Sequence, residues 1–365
     1  MINQRDVTPE WLTQKAKQHN GTDKILIEKV IRAFLLLEGI VKVNIPFIFK
    51  GGTSLMLLFD TPKRLSIDID VILEKKPEMF EEQLTRVARE QGFFKWEKQQ
   101  RNTNSKIVKE HYRFFYEPLH RTLQTEEYIL LDVLYEKSPY TRLISLPIQS
   151  PVVPNKGLPL SVTIPSQEDL LGDKLTAFAP NTTGIPYQKK GISMSMEIIK
   201  QLYDIGNLFE TVTDLDVVTS TFRRIANLEL NYRGLTHISI NEVLEDIYNK
   251  SLCLITRGKD GKGDFEILQK GVRRAAGYIF SESYHVEKAV KHASRAAYLA
   301  VLIQNSIAAL EKYHSPIQIE NQLITEPGSS KLNKLRKSDP ESFYYWYKIV
   351  KIIRSSSGRK KPKGN

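Results

Sequence analysis

The sequence predicts an α+β fold, in which an N-terminal domain built on a mixed sheet is followed by a C-terminal helical bundle. Short apolar and aromatic runs interspersed with helical segments fill roughly the first 165 residues, and apolar residues at helical spacing dominate the rest. With 365 residues and 41% hydrophobic content, the chain is long enough for two or three packed domains. We expect a mixed α/β domain at 1–165, a helical segment at 166–212, and a helical domain with a basic tail at 213–365.

The composition narrows the class of protein. The single cysteine, Cys253, excludes an internal disulfide framework and a cysteine-based zinc site. No run of about 18 apolar residues occurs, and the first 20 residues lack the apolar centre of a signal peptide. We therefore expect a cytoplasmic protein with no membrane partner.

Positive charge is concentrated near the end of the sequence. The formal net charge is +11, and residues 331–365 hold eleven Lys and Arg against two acidic residues. Such a cluster attracts phosphate polyanions, so nucleic acid is a candidate partner, although a solvated tail explains the final residues equally well. The aromatic run Phe343–Tyr347 could stack bases, but five consecutive helical residues cannot share one face, so we expect about half to be packing residues.

The elements of the N-terminal half follow from periodicity. Apolar residues at helical spacing predict an amphipathic helix over 23–43, and a short buried strand follows at 45–50. A glycine pair then precedes a helix that begins with TSLMLLF. The segments LSIDIDVIL, KIVKEHYRFFYEP and EEYILLDVLYE read as strands, with a helix in PEMFEEQLTRVAREQG.

Paired carboxylates are the first chemical signal. On a strand, residues i and i+2 point to the same face, so Asp68 and Asp70 present two carboxylates that repel each other unless a cation lies between them. Hard oxygen ligands suit Mg²⁺ or Mn²⁺, and these ions bridge nucleotide phosphates. Two-metal phosphoryl transfer usually needs a third carboxylate, and Asp132, within the apolar run YILLDVLYE, is the best candidate.

The glycine pair supplies the second signal. Gly51 and Gly52 lack Cβ atoms, so their backbone amides can approach a phosphate closely at a helix N-terminus that favours negative charge. Thr53 or Ser54 can donate a hydroxyl as well. A Gly-Gly turn and an Asp-x-Asp pair are each common in ordinary structure, but the order strand, turn, helix and strand favours a nucleotide site.

These residues resemble a known family. The segment GGTSL…RLSIDID resembles the signature of the DNA polymerase β-type nucleotidyltransferases, and more closely that of the AbiEii/AbiGii group of toxin nucleotidyltransferases. The resemblance implies that Arg64 and Ser66 contact phosphate and that Asp68 and Asp70 hold metal. Residues 1–165 would then form the nucleotidyltransferase core, and 166–212 would complete its active site.

The resemblance extends downstream, over about residues 45–210. Lys174, in EDLLGDKLTAF, matches a lysine that the group uses to hold the triphosphate, and KQLYDIGNL matches its Arg/Lys-x-x-x-Asp motif at Lys200 and Asp204. Asp204 would thereby join the catalytic cluster. From the residues alone, Lys174 could be a solvated helix lysine, and Lys200 and Asp204 could form a surface ion pair.

The resemblance implies an enzyme that moves a nucleoside monophosphate from an NTP onto RNA, with tRNA as the expected acceptor, or onto protein. It also implies a bacterial toxin with a cognate antitoxin, in a toxin–antitoxin or phage-defence system. One alternative is transfer to a small hydroxyl compound, as in antibiotic-modifying enzymes, although such an acceptor needs no basic C-terminal field. The other is a non-catalytic nucleic-acid-binding module, which would have no need for two repelling carboxylates.

Overall fold

The structure is a computed structural model, and it describes residues 1–19, 22–99, 109–120 and 125–359, with side chains of 357–359 left out. Contacts divide the chain into two units, one of Met1–Ser166 with Ala276–Ser283 and one of Gln167–Ala275 with Tyr284–Asn365. The first combines a mixed sheet with helices and the second is mainly helical, so the predicted α+β fold is confirmed. The predicted basic tail beyond Arg359 lies outside the described residues.

The described residues of the first unit form four α-helices and seven strands. They are α1 (Pro9–Gln18), α2 (Lys24–Lys42), β1 (Ile48–Lys50), α3 (Gly51–Leu58), β2 (Ile69–Leu73), α4 (Phe80–Gln91), β3 (Lys95–Lys98), β4 (Lys109–Tyr116), β5 (Glu127–Tyr135), β6 (Leu143–Pro147) and β7 (Ser161–Pro165). The helix predicted at 23–43 is α2, and Asp23 caps it by accepting a hydrogen bond from the amide of Ile25. Strand β3 and the β6–β7 hairpin were not predicted.

A five-stranded mixed sheet organises this unit. The strand order is β1-β2-β5-β4-β3, with β2 and β5 parallel and the other pairs antiparallel. Alternate residues of β2 and β5 enter the hydrophobic core, which also includes α2 and α4 side chains, and the intervening residues lie on the other face. The period of two therefore separates a core face from a polar face.

The described part of the second unit contains eight α-helices and one small hairpin. Its elements are α5 (Gln167–Ala177), β8 (Gln188–Lys189), β9 (Ile192–Ser193), α6 (Ser195–Thr211), α7 (Leu215–Tyr232), α8 (Ile240–Ile255), α9 (Phe265–Ala275), α10 (Val286–Gln304), α11 (Leu335–Ser338) and α12 (Pro340–Arg359). Helix α6 packs against α5, α9 and α10, and α10 also packs against α8 and α12. The β8–β9 hairpin was not predicted. No described helix has the length and apolarity needed to cross a bilayer.

The aromatic run of α12 is mostly packing. Phe343, Tyr344, Tyr345 and Trp346 are all buried, and the Trp346 indole Nε1 donates a hydrogen bond to Ser294 Oγ at 3.0 Å. More of the run lies in the core than the expected half. These four rings are therefore not exposed platforms for base stacking.

A half-buried carboxylate links β4 to its neighbours on the core side of the sheet. Glu110 accepts hydrogen bonds from the hydroxyls of Tyr112 and Tyr135, and its oxygens also contact the ammonium groups of Lys98 and Lys76. Burial by itself raises the pKa of the Glu110 carboxyl, but these four partners together lower that pKa to about 2. The ionised form is thus strongly favoured in the folded protein.

We expect the stability contributed by Glu110 to depend on pH. Because its folded pKa lies below the ordinary value of 4.5, its contribution should be complete above about pH 5.5 and decline as the pH falls toward 2. At neutral pH the pH-linked part should be on the order of 3 kcal/mol. Urea unfolding of the parent and Glu110→Gln from pH 7 to pH 3 measures the difference. A difference that stays constant over this range would contradict the assignment.

Candidate active site

Four polar residues form one row across the polar face of the sheet. Lys50 of β1 lies opposite Asp70 of β2, Asp70 lies beside Asp132 of β5, and Asp132 lies opposite His111 of β4. Directly paired positions on neighbouring strands have Cα atoms about 4.5–5.5 Å apart and project to the same face. The register therefore brings two carboxylates together between a lysine and a histidine. We name these four residues the polar row.

Asp132 is held by its histidine neighbour. His111 Nδ1 lies 2.6 Å from Asp132 Oδ1, and because an ionised carboxylate only accepts hydrogen bonds, the imidazole is the donor. The side chain of His111 is 12% exposed and that of Asp132 is 30% exposed, so the carboxylate is still reached by solvent. The hydrogen bond from His111 on the neighbouring strand therefore fixes the orientation of one carboxylate oxygen of Asp132.

The first turn of α3 lies directly beside Asp70. Gly51 adopts a left-handed φ of 81°, and a Cβ built on it would lie 2.1 Å from Asp70 Oδ2. A Cβ on Gly52 would lie 2.6 Å from Arg64 Nη2 and 2.7 Å from Ser66 Oγ. The backbone of Gly51 therefore favours glycine, and a side chain at Gly52 would displace the ends of Arg64 and Ser66. The first turn of α3 thus borders an arginine and a hydroxyl.

The two hydroxyl residues after the glycines fix the backbone in this structure. Thr53 Oγ1 donates to the carbonyl of Asp68 at 2.6 Å, and Ser54 Oγ donates to the carbonyl of Gly51 at 2.9 Å. Both residues are buried. Lys50 precedes the helix without a side-chain cap, so the first amides of α3 carry the anion-binding character of a helix N-terminus.

A segment distant in sequence supports the loop that carries Arg64 and Ser66. The amide of Leu65 donates to the carbonyl of Tyr278 at 2.8 Å, and Arg64 forms an isolated antiparallel bridge with Ile279. The hydroxyl of Ser281 donates to the carbonyl of Lys63 at 2.8 Å. Residues 276–283 thus form part of the first unit and hold this loop against α3.

The carboxylate oxygens of the candidate site are ligands of the type that a divalent cation prefers. Asp68 is exposed just before β2, Asp70 is half-buried, and Asp132 is its register neighbour. Within the described residues, no group of three or more His, Cys, Asp or Glu side chains is arranged to hold a metal. Mg²⁺ usually keeps several waters and binds through one or two carboxylates plus substrate phosphates, so a preformed three-residue cage is not required.

The second unit brings together two further predicted residues. Lys174 of α5 forms an ion pair with Asp204 of α6, at 3.0 Å from Nζ to Oδ2, and Lys174 Nζ also lies 2.9 Å from Gln201 Oε1. Lys174 is 6% exposed and Asp204 is 3% exposed. Lys174 is thus not a solvated helix lysine. The half-buried Lys200 precedes Asp204 by one turn on α6.

Comparison with known proteins decides the family. The model of the family described as "Nucleotidyl transferase AbiEii toxin, Type IV TA system" matches residues 35–293, which is more than half of the chain. The chain belongs to this family. This member of the family is therefore a nucleotidyltransferase of a toxin–antitoxin system, and membership implies an NTP substrate and a cognate antitoxin.

The chain is also similar to solved structures, at low sequence identity. It is similar in structure to a Helicobacter pylori protein described as a candidate nucleotidyltransferase, with 16% identity, a TM-score of 0.40, and coverage of 82% of this chain and 99% of that chain. It is also similar to JHP933 from Helicobacter pylori, with 13% identity, a TM-score of 0.38, and coverage of 82% and 95%. At these scores neither similarity carries an argument. No curated protein matches the chain.

Two residues of the polar row were missed by sequence reasoning. Lys50 ends β1 and His111 lies within β4, and neither has a motif of its own. The alternation of polar and apolar residues in KEHYRFFY could have placed His111 on the polar face, but only the register shows that it meets Asp132.

We expect Gly51→Ala to abolish nucleotidyl transfer, because a methyl group there would collide with the Asp70 carboxylate in addition to straining the backbone. Gly157→Ala is the matched control, since Gly157 also has a left-handed φ, of 71°, but no atom lies within 4 Å of its added Cβ. The control should lose about 1 kcal/mol of stability and keep its activity. Transfer assays and urea unfolding of both variants measure this, and equal activity in the two would contradict the steric role.

The ion pair of Lys174 with Asp204 can be tested by comparing a single variant with a double variant. Lys174→Met should destabilise the protein by about 3 kcal/mol, because it removes the cation that is paired with the buried carboxylate of Asp204. Lys174→Met/Asp204→Leu should recover most of that stability. If the pair also serves the reaction, the double variant should remain inactive. Recovery of transfer together with stability would show that the pair is only structural.

Proposed function

We propose that the protein transfers a nucleoside monophosphate from an NTP to an RNA acceptor, with tRNA as the expected acceptor, and that Mg²⁺ assists the transfer. The observation that carries this proposal is the polar row beside the uncapped N-terminus of α3. We further propose that the protein acts in the cytoplasm, where NTP and RNA are found, and serves in phage defence under the control of its antitoxin.

The phosphate contacts are assigned to the first turn of α3 and its border. The amides of Gly51 and Gly52 would donate to triphosphate oxygens, with Arg64 and Ser66 adding charge-assisted and hydroxyl contacts. Thr53 and Ser54 would act by holding the turn, since their hydroxyls donate to backbone carbonyls. This division of roles explains why two glycines are followed by two buried hydroxyl residues.

The carboxylates of Asp68, Asp70 and Asp132 would hold the divalent cation, with Mn²⁺ as a substitute for Mg²⁺. When bound, such an ion neutralises charge that develops on the transferring phosphoryl group. The acceptor hydroxyl would give its proton to solvent water as its oxygen attacks the α-phosphorus, and the bond from that phosphorus to the bridging oxygen would break so that pyrophosphate leaves. His111 would keep the Asp132 carboxylate in a fixed orientation throughout.

We assign supporting roles in the same reaction to three residues of the second unit. Lys174 would bind the triphosphate, and Asp204 would orient the Lys174 ammonium through their 3.0 Å ion pair. Lys200 would add a point charge rather than the bidentate contact that an arginine gives.

We expect Asp70→Asn to reduce transfer by about 100-fold or more, because the cation would lose a ligand. Asp60→Asn removes the same charge at an exposed position in the same unit and should leave the rate unchanged. Incubating each variant with each α-labelled NTP, Mg²⁺ and total RNA, then locating the label, measures both the rate and the acceptor. Full activity of Asp70→Asn would exclude the polar row from the reaction, and label on a small molecule instead of RNA would exclude the RNA acceptor.

A further inference from the structure

Helix α9 presents three exposed cations on one face. Lys270, Arg273 and Arg274 follow the i, i+3, i+4 spacing, so their side chains project from neighbouring positions of the helix surface. Among the described residues, none of the three takes part in an ion pair or a side-chain hydrogen bond. We name these three residues the α9 basic face. Their charge is therefore available to an external anion.

The opposite side of α9 is firmly packed. Leu268, Val272 and Ala275 are buried, and a Cβ on Gly271 would lie 2.4 Å from the carbonyl oxygen of Ser195, the first residue of α6. Such close packing leaves α9 little freedom to rotate about its axis. The α9 basic face is therefore fixed in direction.

The residues that flank the β8–β9 hairpin contact the α9 region. Tyr187, just before β8, has its hydroxyl 3.2 Å from the Cβ position of Gly263, and Ser195, just after β9, contacts Gly271. Lys189 ends β8 and Lys190 follows it in the turn, and both are exposed and without an ion pair among the described residues. The hairpin therefore supplies two further cations in the same unit.

Three of the seven described cations between Lys331 and Arg354 are in ion pairs. Lys331 pairs with Asp260, Lys348 Nζ lies 2.6 Å from Glu311, and Arg354 lies 3.3 Å from Glu326. The α9 basic face differs in that all three of its cations are without an ion pair among the described residues.

We propose that the α9 basic face, together with Lys189 and Lys190, binds the phosphodiester backbone of the RNA acceptor; this inference rests on the proposed function. Phosphates are recognised by unpaired Lys and Arg projecting from a rigid element, and such contacts need no apolar centre. A protein partner would instead require a core of apolar or aromatic anchors. The exposed residues of α9 are Glu266 and the three cations, so the helix offers no such core.

The test compares two triple variants of the full chain that remove the same charge. Lys270→Gln/Arg273→Gln/Arg274→Gln changes the α9 basic face, and Lys334→Gln/Arg336→Gln/Lys337→Gln changes the basic segment at α11. Binding of a fluorescein-labelled tRNA transcript is followed by anisotropy at several salt concentrations. The α9 variant should bind at least about tenfold more weakly, with a slope of log K against log[salt] shallower by about 2 to 3, because each phosphate contact contributes about 0.9.

Transfer kinetics provide the second readout. The α9 variant should show a raised KM for the transcript and an unchanged KM for NTP, whereas the α11 variant should match the parent in both. Equal weakening by the two triple variants, or none by the α9 variant, would overturn the assignment. Normal RNA binding by the α9 variant with loss of antitoxin binding would overturn it in favour of an acidic protein partner. If the parent binds the transcript through α9 yet transfers nothing to it, the proposed function fails while the surface assignment stands.

Discussion

The pairing register of β1, β2, β5 and β4 is the constraint on which the rest of the site depends. It aligns Lys50, Asp70, Asp132 and His111 in one row across four strands. A shift of one residue in any strand would turn that strand's polar residue into the hydrophobic core and bring an apolar side chain to the polar face. The burial of the core face therefore specifies the geometry of the candidate site, since the same alternation that packs Val71 and Val133 also presents the two aspartates.

The site also depends on chain that is remote in sequence. The loop with Arg64 and Ser66 must lie close to Gly52, and residues 276–283 hold it there through backbone hydrogen bonds and the hydroxyl of Ser281. Phe280 from the same segment is buried in the core of the first unit. A segment that follows α9 thus becomes part of the first unit, so the linear order of the chain does not match the division into units.

Much of this arrangement could be predicted from sequence, and the limits have physical reasons. The helix at 23–43, the strands around Asp70 and Asp132 and the helix after Gly52 all have strong periodicity. Lys50 and His111 were missed because cross-strand neighbours are set by register, which has no local signal. The burial of Lys174 was missed because one helix gives no information about the helix packed against it.

The order of charges along the polar row indicates how two adjacent carboxylates are tolerated before any ligand binds. Asp70 and Asp132 are register neighbours on one face and repel each other, which by itself would destabilise the sheet. Lys50 lies beside Asp70 on the outer strand, and the His111 imidazole donates a hydrogen bond to Asp132. A cationic group and a hydrogen-bond donor at the two ends draw negative potential away from the centre of the row. This arrangement lowers the repulsion between the carboxylates and leaves both of them available to the divalent cation of the proposed reaction.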